Sequence, residues 1–116
     1  MSWLRGLDAE ARALRHLEHA GLKLVARNWR CKGGELDLVM TDGPVLAIIE
    51  VRSRGRADYG SALESVDRRK HGRLVHAARL FLAAHPEHGD AEVRFDVVTL
   101  DAGRIDWLKA AFDVDG

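Results

Sequence analysis

The chain has 116 residues, with 18 basic and 18 acidic side chains for a formal charge of zero, 47% apolar residues and 31% charged ones. Those proportions exclude a disordered chain and suit one globular domain spanning 1–116. Zero net charge also excludes a uniformly basic nucleic-acid binder, so any phosphate contact needs a local basic patch or a metal ion. The lone Cys31 excludes an internal disulfide and suits a reducing compartment. The longest apolar run, 45–49, is too short to cross a bilayer. The charged start (Arg5, Asp8, Glu10) is unlike a secretory signal. The expectation is a cytoplasmic protein with no membrane contact.

Residues 3–20 predict an amphipathic helix, with Ser2 as N-cap and Gly21 as its stop. Residues 22–30 predict a strand, followed by a turn at Lys32-Gly33-Gly34. Residues 35–40 alternate at period two and predict a second strand. Thr41-Asp42-Gly43-Pro44 is a turn signal, and 45–54 predicts a third strand whose unbroken apolar run implies burial on both faces. A glycine-containing loop at 55–60 leads into a long helix over 62–85, closed by Pro86 and weakened at Gly72. A fourth strand follows at 92–101, and 105–112 fits either a short strand or a helical turn. Helix, three-strand meander, helix, strand implies an α/β fold with a mixed β-sheet flanked by helices.

Several charged residues fall where apolar ones are expected. Trp3, Leu7, Leu14, Leu17 and Gly21 follow the spacing of a buried helical stripe, and Glu10 occupies the slot between Leu7 and Leu14. Either Glu10 is buried and needs a partner, or the stripe is rotated and Glu10 sits at its rim. In the second long helix Lys70 interrupts the stripe of Leu63, Val66, Leu74, Ala77 and Phe81. It either snorkels to the edge or points with Glu10 into one polar pocket at the sheet's edge.

The strands add more. Alternation puts Glu35 and Asp37 on one face, with Leu36, Leu38 and Met40 on the other, and puts Glu50 and Arg52 on a common face. A turn centred at Asp42-Gly43 sets Asp37 opposite residue 48 or 49, next to or diagonal to Glu50. Two carboxylates that close repel unless something positive lies between them. Mg²⁺ accepts one or two carboxylates together with waters and a substrate phosphate. The alternative is that Asp37 and Glu50 form ion pairs with Arg52, Arg54 or Arg94 and carry no chemistry.

Other constellations carry less. The six histidines are scattered without zinc spacing, the serines at 53, 61 and 65 lack a nucleophile-elbow context, and no phosphate-loop lysine follows Gly33-Gly34. Arg94 and Asp96 share a face of the fourth strand, where packing that strand is the simpler role and an accessory role stays open.

GGELDLV (33–39), IIEVRSR (48–54), Tyr59-Gly60, SVDRRKHGRL (65–74) and VRFDVV (93–98) occur in an order and spacing that resembles the YraN-like family of uncharacterised bacterial proteins. The resemblance runs from Gly6 and Glu10 to Ala111-Phe112. It implies the restriction-endonuclease-like superfamily, alongside archaeal Holliday-junction resolvases, whose core carries an acidic residue and then Glu-x-Lys on adjacent strands. By that resemblance Glu10 is the helix carboxylate, Asp37 and Glu50 are metal ligands, and the backbone carbonyl of Val51 is a further ligand. Arg52 stands where the superfamily has lysine; it stays protonated and makes a poor general base. Lys70 matches a lysine common in the family and would supply the missing ammonium. The second glycine that the family favours near Ala9 is absent.

The implied chemistry is phosphodiester hydrolysis assisted by Mg²⁺ or Mn²⁺, in which the ion acidifies a water for in-line attack. Arg27, Arg30, Lys32, Arg54, Arg56, Arg68 and Arg69 would grip the backbone of branched or structured DNA. Related resolvases are dimers, so a homodimer is expected. Two other readings compete: an inactive nucleic-acid-binding adaptor with the same fold, and a protein-interaction module whose acidic pocket is a structural ion-pair network beside an exposed apolar patch.

Overall fold

A computed structural model describes residues 2–53, 68–101 and 103–112, with side chains from residue 8 onward and excepting that of residue 68. Along the chain run α1 (Ser2–His19), β1 (Lys23–Cys31), β2 (Gly34–Asp42), β3 (Val45–Ser53), α2 (Arg68–Ala84), a 3-10 turn at Pro86–His88, β4 (Glu92–Asp101) and β5 (Arg104–Phe112). The five strands form one sheet in sequence order; β3 and β4 are parallel and every other pair is antiparallel.

Local chemistry explains that order. Cys31 pairs with Gly34 across a two-residue turn whose Gly33 takes φ 91°, and Asp42 pairs with Val45 across a turn whose Gly43 takes φ 59°. Tight antiparallel hairpins need such left-handed positions. Between β3 and β4 the chain crosses over through α2, which makes that pair parallel.

The helices cover opposite faces. Ala9, Ala13 and Leu17 of α1, with Leu22, meet Leu38, Met40, Ala47, Ile49, Val98 and Leu100. Leu74, Ala77, Ala78 and Phe81 of α2 meet Leu36, Val39, Leu46, Ile48, Phe95 and Val97. Residues 46–50 of β3 are consequently buried on both sides, as its apolar run implies. This α/β arrangement, a mixed sheet between two helices, is consistent with the restriction-endonuclease-like core.

Four details differ from the sequence reading or settle it. The α1 stripe runs through Ala9, Ala13 and Leu17, one position round from the expected slots, with Leu14 only packed against its edge; Glu10 therefore sits at the rim, half-buried. Strict alternation fails in β2, since Leu36 joins the α2 core while Leu38 and Met40 join the α1 core. Across the ladder from this switch, between the pairs Arg27↔Leu38 and Trp29↔Leu36, Asn28 leaves the extended region for φ 50°. Gly72 does not break α2, which is continuous through it. Residues 104–112 form a strand antiparallel to β4, after a turn in which Gly103 takes φ 83°. The expected start of α2 at 62, with Leu63 and Val66, lies outside the described residues. No helix among the described residues is long and apolar enough to cross a membrane.

Candidate metal centre

The site begins where a ladder ends. β2 and β3 pair from Asp42↔Val45 to Leu38↔Ile49 and no further, while β3 stays beside β4 out to Ser53↔Leu100. Asp37 and Glu50 are the next positions past the last rung. The register therefore sets Asp37 against Glu50 rather than against residue 48 or 49, because the hairpin closes at Asp42↔Val45. Beyond that rung the Val51 amide donates to Asp37 Oδ2 at 2.9 Å, where a strand partner would otherwise accept it. A residue in an antiparallel pair aims its N–H and C=O at the same neighbour, so the Val51 carbonyl points to this same opening.

Glu50 lies on the face that carries Leu46 and Ile48 and is 5% exposed. Two cations meet its Oε2: Lys70 Nζ of α2 at 2.5 Å and Arg52 Nε at 3.3 Å. Burial first, then the charge of Glu50 and a hydrogen bond between the two side chains, push the Asp37 carboxyl up to about 8, against the lowering effect of the Val51 amide. At neutral pH Asp37 thus keeps a proton and gives it to Glu50 in a hydrogen bond.

Glu10 approaches from the other helix. Burial raises its carboxyl, the charges of Glu35 and Glu50 add to that, and a hydrogen bond from the Asn28 side chain and the charge of Arg27 oppose it. Its Oε1 is buried and has no hydrogen-bond partner. The gap where β2 leaves β3 is what lets a carboxylate from α1 sense one that faces α2.

A cleft of about 450 Å³ opens here, lined by Gly33, Gly34, Glu35, Asp37, Glu50, Lys70, Arg73 and Leu74. Its wall is the β1–β2 hairpin pressed onto α2. A Cβ at Gly34 would stand 3.0 Å from the Arg73 carbonyl oxygen and 3.2 Å from the Ala77 Cβ, and His76 Nε2 lies 3.1 Å from the Lys32 carbonyl oxygen. Of the residues expected at the site, Asp37, Glu50 and Lys70 line this cleft, Arg52 joins it through its ion pair with Glu50 and Val51 through its amide on Asp37, and Glu10 stands outside the lining. Among the described residues, no group of three or more His, Cys, Asp or Glu side chains has a metal-holding arrangement; the donor set is two carboxylates and one carbonyl. It fits a hard divalent ion. Mg²⁺ takes one or two carboxylates and fills its remaining positions with water and phosphate.

The family model described as "Uncharacterised protein family UPF0102" matches residues 9–100, which includes every residue of this site. The chain belongs to UPF0102. It is similar to a UPF0102 protein of Pseudomonas putida (strain GB-1), 54% identical over 113 residues, 93% of this chain and 92% of the relative. It is also 48% identical over 110 residues to a UPF0102 protein of Pseudomonas fluorescens (strain Pf0-1), with 93% and 92% covered, and 48% identical over 112 residues to one of Stutzerimonas stutzeri (strain A1501), with 93% covered in each.

In this UPF0102 chain Arg94 does not neutralise Asp37 or Glu50. It binds Asp42 at 2.9 Å and Asp96 through two bonds of 2.8 and 2.9 Å. Asp96, 1% exposed, also accepts from Trp107 Nε1 at 3.0 Å and the Ala110 amide at 2.9 Å, which makes it a packing element of β4 and β5. Arg27, Arg30, Lys32, Arg69 and Arg73 are exposed, Arg30 in an ion pair with Glu35 at 2.8 Å. Arg54, Arg56 and the Arg68 side chain lie outside the description. Sequence reasoning missed Asn28, Gly34 and His76. Gly33-Gly34 reads as a turn alone, and only the contact with α2 shows why position 34 has no room for a side chain.

Proposed function

We propose that this UPF0102 chain is a metal-dependent nuclease of the Holliday-junction-resolvase-like type, hydrolysing phosphodiesters in structured DNA. One observation carries the proposal: two carboxylates on adjacent strands, Asp37 and Glu50, stand just past the last rung of their ladder and line one cleft. Carboxylates buried for structure are met by donors on each member; here both cations meet Glu50, and Asp37 has the Val51 amide. Asp37, Glu50 and the Val51 carbonyl would hold Mg²⁺ or Mn²⁺, which supplies Lewis acidity towards phosphate and a nucleophile at neutral pH.

The chain's own groups do the rest. Lys70 and Arg52 orient Glu50 and set positive charge beside an entering phosphate. Arg52 acts only electrostatically because it stays protonated, and Lys70 supplies the ammonium. Glu10 Oε1, buried and without a donor, is the acceptor left to take a proton from an attacking water. The exposed Arg27, Lys32, Arg69 and Arg73 grip the phosphate backbone, an attraction that weakens as salt rises.

The test is purified protein with Mg²⁺ or Mn²⁺ against duplex, flapped and four-way DNA, with Asp37→Asn in parallel. Cleavage that falls by roughly a hundredfold or more in the variant supports the reading; equal cleavage in both preparations ends it. A second reading, a binding adaptor without activity, draws on Glu50 being held by both Lys70 and Arg52. It predicts salt-sensitive DNA binding that survives Asp37→Asn and needs no divalent ion. The interaction-module reading gains nothing from the surface, since among the described residues only Leu24 and Leu80 are large, apolar and exposed.

A further inference from the structure

Two cations line the cleft that holds the carboxylate pair, Lys70 and Arg73, three residues apart on α2. Side chains at that spacing are neighbours on one helix face. Their charges are engaged differently. Lys70 Nζ lies on Glu50 Oε2, and Arg52 meets the same oxygen. Arg73 is exposed and makes no ion pair with a carboxylate among the described residues. Arg27, Lys32 and Arg69 are exposed as well, but none of them lines the cleft.

The backbone that carries Arg73 is held from outside the helix. At Gly34 a Cβ would stand 3.0 Å from the Arg73 carbonyl oxygen, so the β1–β2 hairpin lies directly on this turn of α2. His76 Nε2, 3.1 Å from the Lys32 carbonyl oxygen, closes the same seam three residues on. The turn is thus placed before any ligand arrives, and only side-chain freedom is lost when the guanidinium takes an anion. Arginine suits that task, because its planar fork matches two phosphate oxygens and its charge persists at any working pH. We propose that Arg73 is the substrate-binding cation of the cleft: it takes a phosphodiester of a DNA strand, with or without a divalent ion, and sets that strand against Asp37 and Glu50. The effect on cleavage rests on the nuclease reading; the anion site does not.

The experiment is a salt titration without metal. A fluorescein-labelled oligothymidylate is bound in EDTA at several salt concentrations and followed by anisotropy. Arg73→Gln is expected to weaken binding about tenfold and to lower the slope of log affinity against log salt by about 0.7, the share of one phosphate on a single strand. Arg79→Gln removes the same charge from an exposed position of α2 outside the cleft and is expected to stay within about twofold of wild type. Equal losses in the two variants would mean diffuse attraction and overturn the proposal. So would an unchanged slope in Arg73→Gln, or a wild-type protein that binds no oligonucleotide.

Arg73→Lys keeps the charge and is expected to restore the slope; a slope that stays low there shows a disturbed helix instead of a lost contact, and overturns the assignment. The last arm adds Mg²⁺ or Mn²⁺. Arg73→Gln is expected to raise KM about tenfold with kcat within about twofold of wild type, the pattern of lost ground-state binding, whereas a fall in kcat alone counts against a binding role. If the wild-type protein cleaves no DNA, the nuclease reading fails and the salt slopes still decide whether Arg73 holds a phosphate.

Discussion

Two buried acidic clusters stand on adjacent strands of this sheet and are built on opposite principles. At Asp96 one carboxylate receives four hydrogen bonds from Arg94, Trp107 and the Ala110 amide. Where β2 leaves β3, two carboxylates face each other with a third nearby; the cations meet Glu50, while Asp37 has the Val51 amide and its carboxyl is pushed up to about 8. The first cluster has as many donors as its oxygens need. The second spreads its cations unevenly, with two on Glu50 and none among the described residues paired to Asp37. Burial alone does not separate a structural acid from a functional one; the balance of donors against oxygens does.

The comparison breaks most visibly on mutation. Asp96→Ala leaves the half-buried Arg94 with Asp42 alone and strands the Trp107 indole N–H and the Ala110 amide, and is expected to cost about 3–5 kcal/mol in urea unfolding. Asp37→Asn is expected to cost nothing at neutral pH and to raise stability there, because the amide needs no proton held against solution. Its amide donates to Glu50 as the proton did, and its carbonyl accepts from Val51. Similar losses in the two variants would show that both clusters serve packing.

A pH series sharpens the contrast. The Asp37 carboxyl has an ordinary value of 3.8 when unfolded and about 8 when folded. Between those values the native state keeps a proton that the unfolded chain has released. Stability from this group is therefore complete below 3.8 and declines as pH rises towards 8, by at most about 1.4 kcal/mol per pH unit. Asp37→Asn removes that slope, and chemical denaturation at several pH values compares the two. Parallel curves would mean that no proton is held at this position.

The two clusters also mark how far sequence reaches. Period-two alternation and an apolar run locate β3 and β4 to within a residue, because their burial is regular. Of the six residues named from spacing and resemblance, Asp37, Glu50 and Lys70 line the opening. Their pairing is less legible: which residues close the Asp42-Gly43 turn sets the register, and a shift of one residue moves Asp37 from beside Ile49 to against Glu50. The face switch at Asp37 is invisible to alternation, and it coincides with Asn28 adopting a conformation that its own sequence context does not require. The donors of Asp96 are equally hidden. Trp107 and Ala110 reach it only because 104–112 adds a fifth strand, and that segment has no periodicity strong enough to declare itself.

The smallest expected effect tests whether α2 contributes to the unbalanced cluster by its surface alone. Gly72 lies two residues past Lys70 and one before Arg73, in mid-helix, where an added Cβ meets nothing within 4 Å. Glycine there loses more backbone entropy on folding than alanine does, so Gly72→Ala is expected to stabilise the fold by about 0.5–1 kcal/mol. Urea melts measure that gain. Stiffening this turn should leave Lys70 on Glu50 and Mn²⁺ affinity unchanged, because the ammonium is placed by the inward face that also carries Leu74, Ala77 and Phe81. A variant that gains stability but loses Mn²⁺ would show instead that α2 must flex around Gly72 for the carboxylates to receive an ion, and the uneven spread of cations would then be a matter of motion as well as of composition.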